Sequence, residues 1–65
     1  MPYVLIQVTD EGVTVEQKRA LIRGATELLV TTLKKEPAAT FVVIEEVKTD
    51  NWGVGGKSVT ELCRG

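Results

Sequence analysis

The sequence predicts a small α/β domain in which a strand, a helix and a second strand are followed by a short hairpin. Three segments support this prediction: an alternating apolar segment at the start, a long amphipathic segment, and a second segment rich in β-branched residues. Two strands joined by a helix are expected to lie parallel with a right-handed crossover. The 65 residues therefore form one domain, residues 1–65, since domains seldom fall far below this length.

The first strand is predicted over residues 3–8, where successive side chains point to opposite faces of a sheet. One face is wholly apolar and the other is partly polar: Val4, Ile6 and Val8 against Tyr3, Leu5 and Gln7. We expect a sheet that the helix covers on one side and a partner molecule touches on the other.

The helix is predicted from residue 15 to residue 34 or 35. Thr14 and Gln17 have the spacing of a capping box, in which each side chain bonds the other residue's backbone N–H, and Pro37 stops the helix. The spacing of its apolar residues predicts one apolar stripe along the helix. It consists of Leu21, Ala25, Leu28, Leu29 and Leu33.

The second strand is predicted over residues 40–47, which are rich in β-branched and aromatic residues. Glu45 and Glu46 lie next to each other on it and point to opposite faces, so they do not form an acid/base pair. Three glycines within residues 52–56 predict a tight turn or hairpin. The tail, residues 58–65, is expected to form one helical turn around Val59 and Leu62.

Composition excludes several function classes. The chain has no histidine, one cysteine (Cys63) and a net charge of −1. It therefore has no Ser-His-Asp triad, no His-ligated metal, no internal disulfide and no CxxC knuckle. The balanced charge argues against a nucleic-acid partner. The sequence has no apolar run long enough for a membrane span and no secretory signal, and a lone cysteine fits a reducing compartment, so we expect a cytoplasmic protein.

The short chain predicts self-association. A domain near this size buries only about 60% of the surface that its unfolded chain exposes, and small folds usually add disulfides, a metal or oligomerisation. A two-stranded sheet also leaves its edges and one face bare. Pairing two copies gives a four-stranded sheet with two helices on one face, and its other face can pack against further dimers.

Pro2 is the one candidate for chemistry. Initiator methionine is generally removed before a small residue, which would expose a secondary amine at the start of the first strand. An α-amino group has a reference pKa of about 7.7–8.0, an apolar pocket lowers the pKa, and a base near neutrality is the most useful one. A proline that merely starts the strand is the structural alternative.

The sequence resembles the 4-oxalocrotonate tautomerase family over nearly its whole length, in order and at matching lengths. The resemblance rests on Met1-Pro2-Tyr3-Val4, Glu16-Gln17-Lys18, Val43-Ile44-Glu45-Glu46-Val47 and Asn51-Trp52-Gly53-Val54-Gly55-Gly56. It implies a β-α-β fold with a C-terminal hairpin, a sheet completed by dimerisation, and a homohexamer built as a trimer of dimers. It also implies an amino-terminal proline, here Pro2, that acts as general base on a 2-hydroxydienoate or 2-oxo acid, without cofactor or metal.

The resemblance assigns further site residues. The family's active-site aromatic falls on Trp52, and a residue near the pocket falls on Thr9. The two arginines that hold the substrate carboxylates in the prototype fall on Val13, in a slightly longer loop, and on Phe41. Neither cation is present. The candidates to replace these cations, supplied by a neighbouring subunit, are Lys48, Lys57 and Arg64.

The leading functional hypothesis is a tautomerase, an isomerase active once Met1 is removed, of the kind found in aromatic hydrocarbon catabolism. Its substrate is expected to be an enolised 2-oxo acid, with aryl and monocarboxylic acids as candidates. Two alternatives stay open: a hydration-type dehalogenase or decarboxylase on the same fold, and a weakly catalytic oligomer subunit that binds small ligands.

Overall fold

The computed structural model describes residues 1–63 and has the β-α-β order that the sequence predicts, followed by a hairpin and a short helix. Two single 3-10 turns precede the second strand and the hairpin, at Pro37–Ala39 and Thr49–Asn51. The strands and helices are β1 (Tyr3–Thr9), α1 (Val15–Leu33), β2 (Phe41–Val47), β3 (Gly53–Val54), β4 (Lys57–Ser58) and α2 (Val59–Cys63).

The main sheet has two parallel strands, as predicted. β1 and β2 pair in register from Tyr3 opposite Phe41 to Thr9 opposite Val47. The Phe41 N–H donates to the Pro2 carbonyl at 3.0 Å, which extends the pairing to the residue before β1. β3 and β4 form a separate antiparallel pair, so the chain carries two small sheets.

The start of α1 is the capping box that the sequence predicts. The Thr14 hydroxyl accepts from the Gln17 N–H at 3.1 Å, and the Gln17 side-chain oxygen accepts from the Thr14 N–H at 2.9 Å. The helix ends at Leu33, because Lys34 adopts a left-handed conformation (φ 57°) and its N–H donates to the Val30 carbonyl at 3.1 Å. The helix is thus slightly shorter than the predicted one.

The two faces of the β1–β2 sheet differ in coverage. The face beneath α1 carries the half-buried side chains Val4, Ile6, Val8, Val42 and Ile44, and an ion pair joins Lys18 of α1 to Glu46 of β2 on this side. The opposite face, called the open face below, carries Tyr3, Leu5, Phe41 and Val43, which are 60%, 45%, 50% and 42% exposed. The single chain therefore leaves one apolar face of its sheet uncovered.

The predicted apolar stripe of α1 is only partly buried within the chain. Ala25 and Leu29 are half-buried, but Leu21 and Leu33 are exposed and Leu28 is 63% exposed. The two-stranded β1–β2 sheet is too narrow to cover the whole apolar stripe of α1. The flank of α1 around Leu28 is left free in the same way as the open face.

The shape of the chain is extended for its length. Its radius of gyration is 14.9 Å, whereas a compact domain of this length would have about 11 Å. Among residues 1–63 no side chain is fully buried. Within the same range, no helix is long and apolar enough to cross a membrane. A layer of secondary structure must bury its apolar face against another layer, and one copy of this chain does so on one side only.

Candidate active site

Pro2 lies at the start of β1, half-buried, at the end of the sheet where both strands begin. Its carbonyl accepts the Phe41 N–H at 3.0 Å, and the Phe41 side chain lies on the open face opposite Tyr3. Met1 precedes Pro2 and is 91% exposed. The Pro2 nitrogen is an amide while Met1 is attached, so it becomes a basic amine only when Met1 has been removed.

Trp52 lies at the other end of the sheet, after β2. It is half-buried, and its backbone is held on both sides, because its N–H donates to the Thr49 carbonyl at 3.4 Å and its carbonyl accepts the Val59 N–H at 2.8 Å. Its side chain borders a groove of about 290 Å³, called the Trp52 groove below. The groove is lined by Gln7, Val47, Asn51, Trp52 and Gly53.

The hairpin after Trp52 turns on Gly55 and Gly56, which have positive φ angles of 61° and 86°. Such angles favour glycine because a side chain would meet its own backbone. The predicted flexible or tightly turned segment is therefore a tight two-residue turn that reverses the chain from β3 to β4.

Polar side chains fix α2 against the turn before Trp52. The Thr60 hydroxyl donates to the Asp50 carboxylate at 2.5 Å and lies 2.6 Å from the Thr49 hydroxyl. At the start of α2, the Ser58 hydroxyl accepts the Glu61 N–H at 3.2 Å and the Glu61 carboxylate accepts the Ser58 N–H at 3.3 Å. These bonds close a second capping box and hold the segment that carries Trp52.

Thr9 and Val13 lie in and beside the loop that follows β1. The Thr9 hydroxyl donates to the Glu11 carboxylate, and the Asp10 N–H donates to the Val47 carbonyl at 2.9 Å. Val13 is half-buried and lines a mainly apolar groove on the flank of α1 with Gln17, Ala20 and Leu21. This loop lies at the same end of the sheet as Trp52.

One chain thus divides the predicted site residues between two ends of the sheet. Pro2 and Phe41 lie where the strands begin, whereas Thr9 and Trp52 lie where the strands end. Thr9 lies seven residue steps along the strand from Pro2, or roughly 23 Å at about 3.3 Å per residue. Pro2 and Trp52 can therefore meet in one site only when different copies of the chain supply them.

The side chains that line the Trp52 groove are uncharged, and among residues 1–63 no Lys or Arg lines it. On the open face beside the groove, the Gln7 amide donates to the Glu45 carboxylate. Lys48 and Lys57, two predicted substitutes for the missing arginines, are exposed and do not line it. The third, Arg64, lies outside the described residues.

Sequence reasoning did not single out Gln7 and Asn51 as groove residues. The available signal was that Gln7 is the one polar side chain in the first predicted strand. Only the pairing register of β1 and β2 shows that Glu45 lies directly opposite Gln7. The prediction that Glu45 and Glu46 point to opposite faces is confirmed, because Glu45 bonds Gln7 on the open face and Glu46 pairs with Lys18 beneath the helix.

Within residues 1–63, no group of histidine, cysteine and carboxylate side chains has the arrangement of a metal site. Cys63, at the end of α2, is exposed.

The family model for tautomerase enzymes matches residues 2–62. The chain belongs to the tautomerase family. The match begins at Pro2 and includes Trp52 and the glycine turn, so it spans both ends of the sheet. Membership of this family indicates an isomerase-type enzyme with tautomerase-type catalysis.

Individual relatives of this tautomerase agree with the family match. A probable tautomerase of Dickeya dadantii (strain 3937) is 64% identical over 61 residues, which cover 94% of this chain and 91% of that protein. The crystal structure of DmpI from Helicobacter pylori superposes with a TM-score of 0.90 at 39% identity and covers 98% of both chains.

A third relative is described as a heterohexamer 4-oxalocrotonate tautomerase from Chloroflexus aurantiacus J-10-fl. Its structure superposes on this tautomerase with a TM-score of 0.87 at 32% identity, and covers 95% of this chain and 98% of that one. The resemblance to the 4-oxalocrotonate tautomerases that the sequence predicts is thereby confirmed for the family and for the β-α-β fold.

Proposed function

We propose that this protein is a keto–enol tautomerase that uses Pro2, after removal of Met1, as general acid and base on an enolised 2-oxo acid. The carrying observation is the division of the site: Pro2 and Phe41 lie at one end of an uncovered apolar sheet face, and Trp52 lies at the other. The family match supports tautomerase-type chemistry, and the resemblance assigns the base to Pro2.

The proposed reaction needs one base and no cofactor. The neutral Pro2 nitrogen takes the proton from the 2-hydroxyl of the enol, and the O–H electrons form the new carbonyl bond. The double bonds of the substrate shift, and a carbon at their far end takes the proton back from the protonated proline. Nothing is oxidised or reduced, and the product is an isomer of the substrate.

Apolar surroundings support this use of the amine. The α-amino reference pKa is about 7.7–8.0, and burial among apolar side chains disfavours the charged form and lowers the pKa. Phe41 and Tyr3 are the open-face neighbours of Pro2 at the beginning of the strands. Covering them with another copy would place the amine in an environment that favours the neutral, basic form.

The proposed assembly is a homohexamer, a trimer of dimers. The exposed apolar residues of the open face, the unpaired edges of a two-stranded sheet and the free flank of α1 around Leu28 support self-association. When the sheets of two copies lie antiparallel to each other, the Pro2 end of one sheet lies beside the Trp52 end of the other. Thr9 and Val13 then border the same site, and Phe41 lines it with Trp52. A cytoplasmic location and a place in aromatic hydrocarbon catabolism complete this proposal.

The missing arginines shape the expected substrate. Val13 and Phe41 stand where the resemblance would put cations, and no cation among residues 1–63 lines the Trp52 groove. Such a site forgoes charge stabilisation of a developing enolate. We expect slower turnover of a dicarboxylate such as 2-hydroxymuconate than of an aryl monocarboxylate such as phenylenolpyruvate.

The decisive experiment compares ketonisation of 2-hydroxymuconate and phenylenolpyruvate by three forms of the protein: processed, Pro2→Ala, and the same chain with Met1 retained. The retained form, prepared with methionine aminopeptidase inhibited, adds Met1 and converts the Pro2 nitrogen from an amine to an amide. It should lose about a hundredfold or more in kcat/KM, within the usual contribution of a general base. Pro2→Ala still exposes a primary amine after processing, so it should lose less. Equal rates for all three forms would refute the Pro2 mechanism.

The assembly is tested separately. Sedimentation at micromolar concentration should give about six times the 7.1 kDa mass of one chain, and a stable monomer would contradict the proposal. The weakly catalytic ligand-binding subunit is the second candidate, since the missing cations favour it. An assembled protein that binds aryl acids but turns over neither substrate would support that candidate.

A further inference from the structure

We propose that Glu45, oriented by Gln7, determines substrate specificity at the Trp52 groove by disfavouring a second carboxylate on the ligand. The inference rests on the proposed function, because it takes the Trp52 groove as part of the substrate site. It adds a residue that selects the substrate by charge. This residue is distinct from Pro2 and from the two positions, Val13 and Phe41, where the resemblance places arginines.

The position of Glu45 follows from the register of the sheet. Gln7 and Glu45 are direct partners across β1 and β2, and the Gln7 amide donates to the Glu45 carboxylate. Gln7 also lines the Trp52 groove. The carboxylate is therefore one side chain away from the groove and is held there by a hydrogen bond to a lining residue.

Within residues 1–63, no cationic side chain pairs with Glu45 or lines the groove. The residues that line it are neutral: two amides, a valine, a tryptophan and a glycine. The neighbouring carboxylate, Glu46, points to the other face and is paired with Lys18. A ligand in the groove thus meets the field of Glu45, and like charges at short range repel most strongly where solvent is excluded.

The rest of the groove suits an apolar or aromatic group. Trp52 supplies a large aromatic surface, and Val47 supplies a second apolar wall. Asn51 and Gln7 offer neutral polar contacts for one carboxylate or one enol oxygen. The ligand class that these residues fit is a monoanion with an aryl substituent, and a dianion of the same shape is disfavoured.

Trp52 provides a direct binding signal because it is the one tryptophan in the chain. Its fluorescence is followed while the processed protein is titrated with 3-phenylpropanoate or with 3-(4-carboxyphenyl)propanoate. The two probes have the same scaffold and differ by one carboxylate, and neither can tautomerise. The readout is therefore independent of the reaction rate.

The wild-type protein should bind the monocarboxylate about five- to tenfold more tightly, the size of one charge interaction across several ångströms at intermediate dielectric. Glu45→Gln removes the charge and keeps an acceptor for Gln7, so the preference should fall to about twofold or less. Glu36→Gln is the matched control, because Glu36 is exposed in the loop before β2 and should leave the preference unchanged.

Three results would overturn the proposal: equal or tighter binding of the dicarboxylate by wild type, an unchanged preference in Glu45→Gln, or a Trp52 signal that neither probe changes. Failure of the proposed function has a different signature. If retention of Met1 leaves ketonisation unchanged while the probe preference still follows Glu45, the Pro2 mechanism fails and the charge selection stands.

Discussion

The two faces of the β1–β2 sheet have similar apolar content but different surroundings. Beneath α1, Ile6 and Ile44 are half-buried opposite each other in the register. On the open face, Leu5 and Val43 form the equivalent pair, and both remain more than 40% exposed. The same kind of residue pair is thus packed on one side and bare on the other.

The chain therefore has two apolar sheet faces and covers only one of them itself. The core under α1 forms within the chain, from the contacts of the helix with the sheet and from the Lys18–Glu46 ion pair. The open face supplies apolar surface of the same chemical kind, which the chain itself leaves exposed. The site is divided in the same way, because Pro2 and Trp52 lie at opposite ends of that face.

The largest effect is expected from a charge placed on the open face. Leu5→Lys should convert the assembly to smaller species in sedimentation at micromolar concentration, because a buried unpaired charge is strongly unfavourable. Tautomerase activity should disappear with the assembly. Glu27→Lys, which adds a lysine on an exposed position of α1, is the control and should change neither. An active, fully assembled Leu5→Lys protein would show that the open face is not an interface.

The next effect compares truncations on the two faces. Ile6→Ala removes half-buried side-chain volume beneath α1 and should lower the free energy of unfolding by about 1–2 kcal/mol, below the range for fully buried sites. Urea denaturation measures this loss, and the protein should stay assembled.

Leu5→Ala is the matched truncation on the open face. It should raise the protein concentration at which the assembly dissociates, because assembly contributes to apparent stability by mass action. Sedimentation over a dilution series measures the shift. If Ile6→Ala dissociated more readily than Leu5→Ala, the assignment of the two faces to core and interface would be reversed.

Local features of the fold could be predicted from the sequence because their causes are local. The alternation in β1 and the capping box of Thr14 and Gln17 depend on residues a few positions apart, and both predictions are confirmed. The exposure of Leu28 was not predictable in this way. Periodicity identifies an apolar stripe, but the width of the surface that meets it depends on how many strands lie beneath.

The candidate site was less predictable than the fold for the same reason. Chemistry and resemblance propose Pro2 and Trp52 as site residues, and their separation in one chain follows from strand length. The contact between Gln7 and Glu45 joins residues 38 positions apart. It required the pairing register, which no pattern within either strand contains.

A smaller effect is expected at the start of α1, the element that covers the packed face. Thr14→Ala removes the hydroxyl that accepts the Gln17 N–H and should cost about 1 kcal/mol in the free energy of unfolding. Thr32→Ala, on an exposed helical position, should be neutral or slightly stabilising, since alanine favours helices. Equal losses from both variants would mean that the capping box contributes nothing specific.

The smallest expected effects come from substitutions at the two neighbouring carboxylates, Glu46 on the face beneath α1 and Glu45 on the open face. Glu46 pairs with Lys18, and both side chains are about one-third exposed, at 35% and 34%. A pair so accessible to water contributes about 0.2–1 kcal/mol. The coupling energy from a double-mutant cycle of Lys18→Met and Glu46→Gln should lie in that range. It should shrink in 1 M NaCl, where the Debye length is about 3 Å.

Glu45→Gln should leave the free energy of unfolding nearly unchanged while it alters the ligand preference of the Trp52 groove. If Glu45→Gln destabilised the fold as much as Glu46→Gln does, the open face would be part of the chain's own core and not a surface completed by another copy.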